Sequence, residues 1–192
     1  MRELLLFVFA YFLGNFLTAY VLAKFHYKTE IHSEGSGNVG ARNIGRLFGK
    51  CAFVITFIGD ALKGFLIIMI ARLTELPLYG ELLLLLFVVI GHVFPVFFRF
   101  KGGKGMSTFI GGVLTFNPIL FMWFACVFLV SYVFIRSLTL AGMFAVAVLP
   151  IIMIPMSYDV AAILVASIVS AIIIFAHRQN IKEKIYKERN IS

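Results

Sequence analysis

The feature that most constrains this chain is a succession of apolar stretches, each about as long as a bilayer is thick, parted by short polar segments. Leu4–Ala23, Cys51–Ala71 and Glu81–Phe98 are the first three. Inside hydrocarbon no water satisfies peptide N–H and C=O groups, so such a run must close its hydrogen bonds within itself. An α-helix of about 20 residues does so across a core of about 30 Å. From Met106 the apolar character resumes, but it meets Asn117-Pro118 after about ten residues, roughly 16 Å of helix. This fourth element spans only if Arg99–Gly105 helps begin it. Ile119–Ile135, Leu138–Pro155 and Val160–Ala176 complete the set, joined by tight connections at Arg136-Ser137 and Ser157-Tyr158-Asp159. The expectation is an all-α, polytopic integral membrane protein with seven transmembrane helices, residues 1–192 forming one domain. Its polar loops fall at about 25–50, 99–105 and 177–192. The first span is a full crossing long and lacks a small-x-small cleavage site, unlike a signal peptide.

Composition agrees. The chain is 61% hydrophobic and 14% charged, where a soluble domain is about half apolar and about a quarter charged. A water-soluble enzyme, a disordered chain and a disulfide-stapled secreted module are excluded. The net charge of +8 would suggest nucleic acid in a soluble protein, but here it reflects loop asymmetry, and no nucleic-acid partner is expected. Every Lys and Arg except Arg2, Lys63 and Arg72 lies in Lys24–Lys50, Arg99–Lys104, Arg136 or the tail after Ala176. The positive-inside rule makes those segments cytoplasmic, with the N-terminus outside and the C-terminus cytoplasmic. Cys51 and Cys126 sit in apolar runs without metal-type spacing, so neither a zinc site nor a disulfide framework is read from them. No internal repeat is visible.

Three polar segments and one buried-charge motif carry chemistry. The first segment, GSGNVGARNIGR, runs from Gly35 to Arg46. Its glycines, Gly37 and Gly40 among them, let backbone N–H groups approach an anion, and Arg46 offers a bidentate phosphate contact. Ser36, Asn38 and Asn43 add side-chain donors; the competing reading is a flexible turn. The second, GHVFPVFFRFKGGKG, places Lys101, Gly102, Gly103, Lys104 and Gly105 directly before a helical run, a phosphate-binding arrangement without the spacing of a nucleotide P-loop. A topogenic basic loop with snorkelling lysines is the competing reading. The third, AHRQNIKEK, puts His177 and Asn180 three apart on one helical face. Lys182, Lys184, Lys187 and Arg189 read as contacts for anionic lipid headgroups. Within the second span, Asp60 and Lys63 are expected to neutralise each other or line a polar cavity, because an isolated charge at mid-bilayer costs about 2.5–3.5 kcal/mol. His92 reads as a packed, hydrogen-bonded histidine.

Together these segments resemble one family, the bacterial acyl-phosphate-dependent glycerol-3-phosphate acyltransferases of the PlsY type. The likeness covers LGNFLTAYVLAK, GSGNVGARNIGR, GDALKG, GHVFPVFFRFKGGKG and HRQNI. It implies transfer of a fatty acyl group from acyl phosphate to glycerol 3-phosphate, giving 1-acylglycerol 3-phosphate and phosphate, at the cytoplasmic face of the inner membrane. Three departures stand out. Arg42 replaces a small hydroxyl residue, Gly14-Asn15-Phe16-Leu17 replaces Gly-Ser-Ile-Pro, and the tail lacks a Gly-x-Glu, leaving Glu188 without an assigned role.

For such chemistry no metal and no cofactor is required, because acyl phosphate is already activated. Arg46, Lys104 and the glycine N–H groups would hold phosphates. Ser36, Asn38 and Asn180 are candidate oxyanion donors, and His177 or a substrate phosphate is the candidate base. Expected partners are the two substrates and membrane lipids, with no obligate protein partner. The rival reading is a transporter or flippase for a phosphorylated lipid or metabolite, but its pathway should reach both faces, and the outward loops are short and nearly free of basic residues.

Overall fold

The computed structural model describes the backbone of residues 1–189 and the side chains of residues 1–184. Every regular element among them is helical, in the order α1 (Arg2–Asn15), α2 (Thr18–Val21, continuing as a π-turn over Leu22–His26), α3 (Ala41–Phe48), α4 (Lys50–Leu73), α5 (Leu78–Val93), α6 (Met106–Phe116), α7 (Pro118–Ile135), α8 (Leu138–Met153), α9 (Val160–Ala176) and α10 (Arg178–Arg189). Four helical stretches are long and apolar enough to cross a bilayer: Arg2–His26, Lys50–Leu73, Leu78–Phe98 and Pro118–Ile135. The bent pair of α9 with α10, angled at 57°, makes a fifth if counted as one span. The other two expected crossings are the shorter apolar helices α6 and α8. Leu62, Phe65, Leu66, Met122, Val133, Phe134 and many other large apolar side chains are exposed, the surface a lipid-facing protein presents. Cys51 and Cys126 are exposed free thiols.

The chain forms two compact units, Met1–Phe116 and Asn117–Ser192. In the first, α5 packs on α1, and α4 on both α5 and α6. Leu82, Leu84, Leu85, Val88 and Val89 of α5 are all buried, which explains a run too apolar to show a polar face. Small residues bring backbones together: a Cβ on Gly14 would strike Val88 O, and one on Gly91 would strike Tyr11 O. Gly64 lies equally tight against Thr108 O and Gly112. Such contacts supply the dispersion attraction that helix association in lipid depends on. α6 ends where the sequence places its stop, at Asn117-Pro118. Its Phe116 carbonyl accepts from Arg72 Nη2 at 2.7 Å, while Arg72 Nε donates to Glu81 at 3.3 Å. One guanidinium thus ties α4, α5 and α6.

In the second unit α8 packs on α7 and α9, and the starts of these three helices follow a capping rule. Asn117 Oδ1 accepts from the N–H groups of Ile119 and Leu120, Ser137 Oγ from Leu140, and Asp159 Oδ1 from Ala162. α8 stops at Met153, two residues before the expected Pro155.

The first span is broken. α1 ends at Asn15 and helix resumes at Thr18, with Phe16 and Leu17 extended. No proline or glycine occupies those two positions, so the cause must be a group that captures the freed backbone. Lys63 Nζ donates to Phe16 O at 2.7 Å, and Asp60 Oδ1 accepts from Thr18 Oγ1 at 2.9 Å and from Thr18 N–H at 3.5 Å. The cation meets the carbonyl end of one half-helix and the anion the N–H end of the next, as the dipoles demand.

Candidate active site

In the first unit the loop from Tyr27 to Gly40 is packed against the helices around it. Ile31 and Val39 are buried with Leu17, Ala23 and Ile44 in one apolar cluster, and Tyr27 stacks on Phe48 at 3.9 Å. Gly37 takes φ +67°, with the space of a side chain filled by His32 O. Asn43, expected to meet phosphate, is 1% exposed. Its Oδ1 accepts from Ser36 N–H at 3.0 Å and its Nδ2 donates to Glu34 O at 3.1 Å. It therefore holds the loop's shape. Ser36, Arg42 and Arg46 are exposed, and Asn38 is half-buried. Gly40 opens α3 without a side-chain cap. Arg42 and Arg46 stand one helical turn apart, and partial desolvation by the surrounding loop, followed by the Arg46 charge, lowers the pKa of Arg42 from its ordinary value. Two like charges at this spacing repel by a few tenths of a kcal/mol, a cost an anion beside them would remove.

The second loop corrects one expectation. Gly102 and Gly103, expected to aim N–H groups at phosphate, donate instead to Val93 O at 3.3 Å and His92 O at 3.0 Å. These bonds satisfy the last carbonyls of α5, an end that a buried helix cannot leave bare. The loop thereby folds back on α5 through Arg99 and Phe100, both at positive φ. Lys101 is exposed and Lys104 half-buried. Gly105, at φ +76°, accepts from Phe109 N–H as α6 begins at Met106. Lys104 thus stands at the positive end of α6.

Asp60, Lys63 and His92 form one buried network under this loop. Lys63 Nζ lies 3.0 Å from Asp60 Oδ1 and 2.9 Å from His92 Nδ1, besides its bond to Phe16 O. Three ammonium protons meet three acceptors. An ammonium only donates, so His92 Nδ1 is the unprotonated nitrogen and Nε2 carries the ring proton. A Cβ on Gly103 would collide with that Nε2 and would lie 2.7 Å from Val39 O. The first loop, the second loop and the buried pair therefore meet at Gly103. The sequence reading missed His32, whose Nδ1 lies 3.1 Å from Glu30 Oε1 and whose Nε2 lies 3.0 Å from Lys101 O. Its signal, a histidine three residues before the glycine run, is too common to be singled out.

His177 and Asn180 stand on the second unit, where α9 gives way to α10. His177 Nδ1 donates to Ile173 O at 2.8 Å, so the lone pair of the neutral ring is on Nε2. That is the tautomer opposite to His92. Asn180 Oδ1 is buried without a hydrogen-bond partner. Glu188 lies outside the described side chains.

The comparisons with known proteins agree with these motifs. Residues 4–187 match the family model described as glycerol-3-phosphate acyltransferase. Glycerol-3-phosphate acyltransferase 1 of Bacillus cereus is 42% identical over 92% of this chain and 97% of its own. The enzyme of Clostridioides difficile is 37% identical over 91% and 88%. The crystal structure of PlsY, an integral membrane glycerol 3-phosphate acyltransferase, superposes in its glycerol 3-phosphate form with a TM-score of 0.89 at 34% identity, covering 97% of this chain and 94% of that one. Its lysophosphatidic acid form gives 0.85 over 97% and 93%. An all-helical chain with these loops, matched along nearly its whole length, belongs to the PlsY-type glycerol-3-phosphate acyltransferase family.

Proposed function

We propose that the protein transfers a fatty acyl group from acyl phosphate to glycerol 3-phosphate, forming 1-acylglycerol 3-phosphate and free phosphate at the cytoplasmic face of the bacterial inner membrane. The observation that carries this reading is the interlocking of two glycine loops that bear Arg46 and Lys104, in a chain whose solved relative has a glycerol 3-phosphate form. In the reaction the glycerol hydroxyl oxygen attacks the acyl carbon. The carbonyl becomes an oxyanion, the bond to the phosphate oxygen breaks, and phosphate leaves with the electron pair. Arg46 and Lys104 would hold phosphate groups, with Lys101 and Gly105 as further contacts; the N–H groups of Gly37 and Gly40, expected to do the same, donate instead to Glu34 O at 2.9 Å and Asn38 O at 3.1 Å. Ser36, Asn38 and Asn180 would donate to the oxyanion. His177 Nε2, unprotonated in the neutral ring, would take the hydroxyl proton, or a substrate phosphate oxygen would do so. Fixing two anionic substrates in attack geometry supplies much of the rate without a covalent intermediate.

The test is to compare acyl phosphate, acyl-CoA and acyl-carrier protein as donors to glycerol 3-phosphate, scoring product by mass. Turnover with acyl phosphate alone is expected; comparable turnover with acyl-CoA would refute the donor assignment. Arg46→Ala and Lys104→Ala should each raise KM for a phosphorylated substrate at least tenfold, because a charge-assisted hydrogen bond contributes about 1.5–3 kcal/mol. An unchanged KM in both would remove these residues from the site.

The same reading places seven crossings in the membrane, the N-terminus outside and the three loops inside. In a background carrying Cys51→Ala and Cys126→Ala, a thiol introduced by Glu34→Cys or Lys184→Cys should react only with reagent supplied to the cytoplasmic side. Labelling of either from outside intact cells would reverse the topology.

A further inference from the structure

We propose that His32 is a positioning residue which clasps the two glycine loops together by donating from both ring nitrogens, so that phosphorylated substrate binds less tightly when one of the two donors is lost. The inference rests on the acyltransferase reading for its effect on substrate, though not for the clasp itself.

The argument begins with the partners. Nδ1 faces the Glu30 carboxylate at 3.1 Å and Nε2 faces the Lys101 carbonyl at 3.0 Å. Both partners accept and neither donates. A neutral imidazole has one N–H and satisfies one of them; only the imidazolium satisfies both. The side chain is 26% exposed. The contact bridges 69 positions of sequence, joining the loop that carries Ser36 and Asn38 to the one that carries Lys104.

The remaining neighbours hold the ring in place. It lies 6.1 Å from Phe98, near parallel to it, and 6.2 Å from Tyr20. Its own carbonyl lies under Gly37. The titratable groups around it are Glu30 on its own loop, Tyr20 with its bonded partner Lys24 on the first span, and Lys101, which turns its carbonyl to the ring. Buried Ile31 and Val39 anchor the loop independently. Loss of the clasp should therefore change the register of the loops and leave the fold intact.

His32→Gln cannot donate toward both partners and should raise KM for glycerol 3-phosphate about three- to fivefold, the scale of an exposed ion pair, with kcat and melting temperature unchanged. His32→Arg keeps donors toward both partners and should restore the wild-type KM. A wild-type KM in His32→Gln would overturn the proposal. Independently of substrate, nitrogen-15 NMR of the protein in detergent should show ring protons on both His32 nitrogens that vanish in His32→Gln. A proton on only one nitrogen would also overturn it. Wild-type protein that shows both protons but no acyl transfer would retire the acyltransferase reading and leave the clasp standing.

Discussion

Lys63→Met is expected to cost about 3–5 kcal/mol of stability, the range found when one partner of a buried ion pair is removed. Asp60 is 1% exposed, and without the ammonium its carboxylate keeps only the Thr18 donors. Adding Asp60→Asn to Lys63→Met removes the stranded charge while keeping an acceptor for Thr18, and should recover roughly half of the loss. Thermal unfolding of the four proteins in detergent closes the cycle. Additive losses would show that the pair is not coupled and that the break in the first span has another cause.

Gly103→Ala is expected to lower kcat/KM about 100-fold. The new methyl would enter space held by His92 Nε2 and Val39 O. The ring cannot retreat, because its Nδ1 is fixed by Lys63. Overpacking of this kind costs up to about 3 kcal/mol, and 1.4 kcal/mol is a tenfold change. Gly80→Ala is the control: its methyl would meet side-chain carbons of Leu76 and Pro77 no closer than 3.1 Å, and activity should persist. Wild-type rates from Gly103→Ala would mean that the junction of the two loops does not shape the site.

The apolar runs and their ends were legible because they obey local rules. Asn117-Pro118, Ser137 and Asp159 stop and start helices through bonds within three residues of themselves. The Asp60–Lys63 pair was legible because three residues of helix put two otherwise costly charges side by side. What escaped is non-local. Nothing in Gly14-Asn15-Phe16-Leu17 announces a break, since the lysine that stabilises it lies 47 positions away. Asn43 looked like a ligand donor because its type and spacing fit one, and only the folded loop shows both ends of its amide engaged. Gly102 and Gly103 look like an anion cradle until the end of α5 is placed beneath them. The clasp of His32 on Lys101 depends on the meeting of two loops that no periodicity encodes.

Leu17, unlike proline, retains its N–H, so nothing in the segment itself prevents a continuous helix. Without Asp60 and Lys63 beside it, an open carbonyl at Phe16 in lipid would cost several kcal/mol. The bend in the first span is therefore a property of two helices and not of one: it exists only where the second supplies a cation for Phe16 and an anion for Thr18.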